Sequence, residues 1–176
     1  MNDLYDAVRE FAALMGWDDA FDTDLPAGEV RVAGSVAVGS QVCHLAVVAS
    51  ERHEGIHVLL HLPFAVAAGC ESEACRLANA LNVRLRFGHL EVTEDGIIRF
   101  VNTMPTAGCQ PGPEAIHHMV LAGYTALTCH MPDLMRVAVA GDPAESLIAR
   151  WGALPADHPA EPPPAVAAAI ASVLLH

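Results

Sequence analysis

Arg84-Leu-Arg-Phe-Gly88-His-Leu-Glu-Val92-Thr-Glu-Asp-Gly96-Ile-Ile-Arg-Phe100-Val-Asn-Thr-Met104 is the stretch that decides the fold. Asp95-Gly96 lies at its turn, and both residue types tolerate positive φ, so the pair closes a hairpin. The spacing predicts strands over Arg84–Val92 and Ile97–Met104, joined antiparallel by Thr93-Glu94-Asp95-Gly96. Just upstream, Ala74, Leu77, Ala78 and Leu81 form an i, i+3, i+4, i+7 stripe, the mark of a helix with one buried face. Glu71 and Glu73 sit where a helix start favours negative charge, and Asn82 ends the run.

Working outward toward the N-terminus, the period changes from helical to two. Val30, Val32, Val36 and Val38 alternate with Arg31, Ala33, Ser35 and Ala37, and Gly39-Ser40 turns the chain. The return strand, Val42–Ala49, is apolar on both faces and reads as central. After a turn at Glu51–Gly55, a third strand places Ile56, Val58, Leu60 and Leu62 on one face and His57, Leu59 and His61 on the other. Leu4, Val8, Phe11, Ala12 and Met15 share a helical face that Gly16 stops, and Trp17–Pro26 reads as a solvated connection pinned by its aromatic residues.

On the other side of the hairpin, Pro113 opens a helix whose face carries Ile116, Met119, Val120, Gly123 and Leu127. Pro132 should kink or restart it. Asp142-Pro143 reads as an N-cap and first turn of a short helix toward Trp151. The expected class is α+β: a largely antiparallel five-stranded sheet in the order α-βββ-α-ββ-α, with helices packed on it. Residues 1–151 form this domain, and residues 152–176 form a proline-rich linker (Pro155–Pro164) followed by an apolar helical segment, Ala165–Leu175.

Charge narrows function. Nine basic residues face 21 acidic ones for a formal net charge of −12, which disfavours nucleic acid and anionic lipid as partners. All nine basic residues are arginine, so lysine Schiff-base chemistry and the P-loop lysine are excluded. Gly34–Gly39 has P-loop glycine spacing, but Ser40-Gln41 follows where Lys-Ser/Thr should stand. No apolar run reaches the length of a membrane span, and the acidic start Met1–Asp6 does not read as a secretory signal. A cytoplasmic, soluble protein with free thiols among its five cysteines is expected.

The residues able to carry chemistry are scattered. His57 and His61 share a face but stand roughly 13 Å apart along the strand, too far for one metal ion. Cys43 and His44, on the neighbouring strand, point to opposite faces. Cys70 and Cys75 would diverge by about 140° on a helix and lack the Cys-x-x-Cys spacing of redox pairs. His117 and His118 are helix neighbours that face different ways. Met104, Met119, Met131 and Met135 fit a core or an adaptable groove, and the core is the simpler reading. The residue types therefore assign no catalytic, cofactor-binding or metal-ligating residue. The alternative is a metal- or redox-dependent enzyme or sensor built from the histidines and cysteines.

Leu77-Ala-Asn-Ala-Leu-Asn82, the strand with Gly88, the Asp95-Gly96 turn, and Phe100 leading to Pro105 together carry a resemblance over Cys70–Glu145. The pattern resembles the YbjN family of bacterial sensory transduction regulators. The resemblance implies a fold like that of type III secretion chaperones, which are dimers that bind protein segments, and implies no catalytic residue or cofactor. It points to a non-enzymatic, homodimeric module with a protein client, or to a dedicated secretion chaperone. It says nothing of the segment after Trp151.

Overall fold

The computed structural model describes residues 3–17, 21–22, 25–109 and 111–152. The chain runs α1 (Asp3–Leu14), β1 (Glu29–Val38), β2 (Gln41–Ser50), β3 (Gly55–Ala65), α2 (Glu71–Asn82), β4 (His89–Val92), β5 (Ile97–Pro105), α3 (Pro113–Ala138) and α4 (Ala144–Gly152). The strands form one antiparallel sheet in the order β1-β2-β3-β5-β4. The expected α+β architecture is thus observed, with β2 interior but β3 in the middle. The segment 165–175 and its linker lie outside the described residues.

Register follows from the turns. Val38 pairs with Gln41 around Gly39-Ser40, and Ser50 pairs with Gly55 around the Glu51–Glu54 turn. The period of two then sorts each strand into an inner and an outer face. Val32, Val36, Cys43, Leu45, Val47, Ile56, Val58, Leu60, Leu90, Ile98 and Phe100 are buried on the inner face. The four described helices all lie there. Gly123 of α3 stands over Leu60 and Phe100, α1 and α2 touch α3, and α4 touches α2. Trp17 closes the core beyond α1, edge-on to Phe11 and against Gly34 of β1.

Three local expectations need correction. Only His89–Val92 of the strand predicted over Arg84–Val92 pairs with β5. After α2 the amides of Arg84 and Leu85 donate to the Leu81 carbonyl, prolonging the helix end as a turn. Gly88, at φ +66°, then folds the chain against Phe100, so it precedes the strand instead of lying in it. The α3 helix continues through Pro132 instead of restarting there. Pro132 is exposed, and its buried neighbours Met131 and Leu134 hold the helix to the core on either side of the missing N–H. Finally, Asp142 does not cap α4. Its carboxylate accepts from Arg136, and the Ala144 amide donates to Glu73 of α2 instead.

Candidate functional site: the outer face of the sheet

Because all four helices occupy one face, the outer face carries no helix among the described residues. Its cross-strand rows are fixed by the register. The middle row is Ala33, Ala46, Leu59, Val101 and His89, running across β1, β2, β3, β5 and β4. Ala46 and Val101 are buried, and Leu59 is half-buried. On one side of this row stand Arg31, Val48, His57 and Thr103; on the other stand Ser35, His44, His61, Arg99 and Glu91. The result is an apolar band flanked by histidines and arginines.

Several polar groups on the band have identifiable neighbours. His57 Nδ1 lies 3.0 Å from Thr103 Oγ1, its partner in the register. His44 and His61 face each other with ring centroids 6.0 Å apart. Arg99 is paired with Glu91, and Arg31 with Asp22 at 3.9 Å. Partial burial lowers the pKa of His57, with His53 adding to the effect and Glu29 opposing it. The pKa of His61 is also lowered, first by burial and then by the positive charges of Arg99, His44 and Arg31, against Asp95. At neutral pH these rings are therefore uncharged, and a small apolar partner would meet little desolvation cost.

A family model described as "Putative bacterial sensory transduction regulator" (YbjN) matches residues 5–127. The chain belongs to the YbjN family. The YbjN match begins in α1 and ends inside α3, so it takes in the whole sheet and both of its faces. It therefore reaches much further toward the N-terminus than the resemblance read over Cys70–Glu145, and it stops short of α4. No curated protein and no solved structure matches the chain.

The structure places the remaining candidates as follows. His57 and His61 do share the outer face, but His61 meets His44, a pairing that sequence spacing within one strand cannot show. The signal lay in the turn: fixing Ser50 opposite Gly55 puts residue 44 opposite residue 61. Cys43 points into the core, where burial pushes its thiol up to about 11, and burial raises the Cys129 thiol as well. Cys70 is half-buried, Cys75 is exposed, and the cysteines are free thiols. His117 and His118 lie on α3, on the opposite side of the sheet from the histidine band. Met119 and Met131 are core residues, and Met104 and Met135 pack against that core. Among the described residues no group of three or more His, Cys, Asp or Glu side chains is placed to hold a metal ion. No described helix is long and apolar enough to cross a membrane.

Proposed function

We propose that the protein is a non-enzymatic regulatory module that binds a protein segment on the outer face of its sheet, with chaperone-like action and as a homodimer. The observation that carries this reading is the outer face around half-buried Leu59, on which none of the four described helices lies. A sheet face that no helix of the fold covers is a surface where a partner can pack. Its flanking Arg31 and Arg99 suit a client whose apolar centre is bordered by acidic side chains, and the neutral His57 and His61 rings can exchange hydrogen bonds with it. The description of the family as regulatory agrees with a binding role, and a strongly acidic chain without a basic surface run suits work in the cytoplasm.

The test compares the wild-type protein with Leu59→Glu as bait, after circular dichroism shows the variant folded. A defined protein recovered by the wild type and lost with the variant supports the reading. Identical recovery by both would remove the outer face from it. Light scattering that returns a strict monomer at high concentration would remove the dimer. The second reading, a metal-dependent sensor or enzyme, draws on the facing rings of His44 and His61. Arg99 beside them repels a cation, so stoichiometric transition metal retained through dialysis would be needed to favour it.

A further inference from the structure

The outer face has a candidate occupant in the chain itself. Residues 165–175, Ala-Val-Ala-Ala-Ala-Ile-Ala-Ser-Val-Leu-Leu, contain no charged side chain, and Pro162–Pro164 precede them. At helical spacing Val166, Ile170, Val173 and Leu174 fall on one stripe, backed by alanines. Eleven residues are too few to hold a helix in water, so such a segment gains order only by burying that stripe. As a helix it would be about 16 Å long, which spans three to four strands at roughly 4.8 Å each.

Where the described chain ends decides which surface is in reach. Trp151, at the end of α4, donates to Asp133 at 3.2 Å and lies under the Arg84 guanidinium at 5.7 Å. Arg84 belongs to the connection between α2 and β4, so the chain leaves the fold beside the β4 edge of the sheet. From there to the middle of the outer face is about 25–30 Å, counting a helix layer, a sheet and two strand spacings. Pro155–Pro164 holds ten residues with five prolines, and in an extended proline helix it covers about 31 Å. A spacer of that length and stiffness suits the outer face.

It does not suit the nearer apolar patch. Val83 and Phe87, 87% and 64% exposed, flank Arg84 in sequence and lie next to the exit point. A segment meant for them would need only a few residues of spacer, and ten residues match the longer reach to the outer face better. Small side chains also match the landing area, since the outer band is itself low at Ala33 and Ala46.

We infer that residues 165–175 dock as a helix across the outer face of the sheet of their own chain, over Leu59 and Val48. The tether keeps their local concentration in the millimolar range, which favours the same chain over a second copy. On the client-binding reading of that face, the segment is a built-in competitor that a client must displace. The docking itself needs no client.

The experiment uses the full chain with a photoreactive benzoylphenylalanine in place of Thr103, an exposed rim residue of the outer face. The expected result is a crosslink to residues 165–175 that stays in the monomer band in dilute protein. Ile170→Asp with Leu174→Asp should lower its yield about tenfold or more, the loss expected when two buried aliphatic side chains become carboxylates. In parallel, the imidazole resonances of His44, His57 and His61 should shift in the double variant while His117 and His118 hold still. Crosslinks confined to the dimer band, a crosslink absent altogether, or shifts confined to the neighbours of Trp151 would each overturn the inference. A client lost with Leu59→Glu but no intramolecular crosslink would leave the function standing without the tether; the reverse would leave the tether without the function.

Discussion

The backbone amide of Ala144 donates to the Glu73 carboxylate at 2.7 Å, tying the first turn of α4 to α2 across 71 residues of sequence. Ala144 is fully buried, so without Glu73 this helix-start amide would have no solvent to turn to. Arg76 supports the arrangement, 4.0 Å from Glu73 and 3.7 Å from Glu145. Glu73→Ala should therefore cost about 1 kcal/mol, as loss of a helix cap does, and about 3 °C of melting temperature. Glu145→Ala removes only an exposed ion pair and should stay within about 0.5 kcal/mol. Urea unfolding of the two variants checks both values, and equal losses would show that the cap does not hold α4.

Asn82 joins the other end of α2 to the sheet. Its side chain accepts from the Leu90 amide at 2.6 Å and donates to the Leu90 carbonyl at 2.9 Å, closing a clamp across the loop that Gly88 bends. Asn82→Ala removes two hydrogen bonds at about 1 kcal/mol each, so a loss of about 2 kcal/mol is expected. Asn82→Asp keeps the acceptor but presents a carboxylate to the Leu90 carbonyl, and it should not restore stability. Denaturant midpoints for both variants, with hydrogen exchange at Leu90, measure the effect. An unchanged Leu90 protection factor in Asn82→Ala would contradict the clamp.

The histidines make stability depend on pH in a fixed direction. Burial lowers the pKa of His57, His61, His117 and His130 in the folded protein, with His118 adding to the effect at His117. At His130 Arg84 adds to it and Asp133 opposes it. Between the ordinary value of about 6.5 and these lower folded values, the unfolded chain holds more protons than the folded one. Stability is therefore full above the window and falls as pH drops through it. Below the folded values no further loss arises from these groups. Melting temperatures at pH 8, 7, 6 and 5 should decline into the acid range, and His61→Gln should decline less steeply than the wild type. A variant curve parallel to the wild type would show that His61 does not contribute.

Much of this fold was legible in the sequence because its turns are chemically explicit. Gly39-Ser40 and Asp95-Gly96 fix hairpins, and the period of two in Ile56–Leu62 then assigns both faces of β3. The α2 stripe of Ala74, Leu77, Ala78 and Leu81 is the buried set in the structure. What failed were places where distant parts of the chain settle a local choice. The alternation in Arg84–Val92 looks like a strand until Phe100 crowds Gly88 and Asn82 reaches Leu90. Asp142 has the form of a cap, but Arg136 takes its carboxylate and Glu73 supplies the cap from another helix. The histidine band was half visible: His57 and His61 share a strand, whereas His44 joins them only through register.

Gly123 sets two magnitudes against each other. It lies inside α3, where alanine would gain about 1 kcal/mol in helix propensity. A Cβ at that position would stand 2.5 Å from Leu60 Cδ1 and 2.6 Å from Phe100 Cδ1, both on fully buried side chains. Neither can swing aside without moving the inner face of β3 or β5, and overpacking of this kind costs about 1–3 kcal/mol. Crowding by two rigidly held neighbours puts the cost at the upper end, so Gly123→Ala should destabilise the protein by about 1–2 kcal/mol net. Adding Leu60→Val frees one of the two contacts, so the double variant should lose less than the sum of the single losses. Chemical denaturation of the two single variants and the double variant gives the coupling directly. Additive losses, or a Gly123→Ala protein more stable than the wild type, would mean that α3 does not rest on the sheet at this glycine.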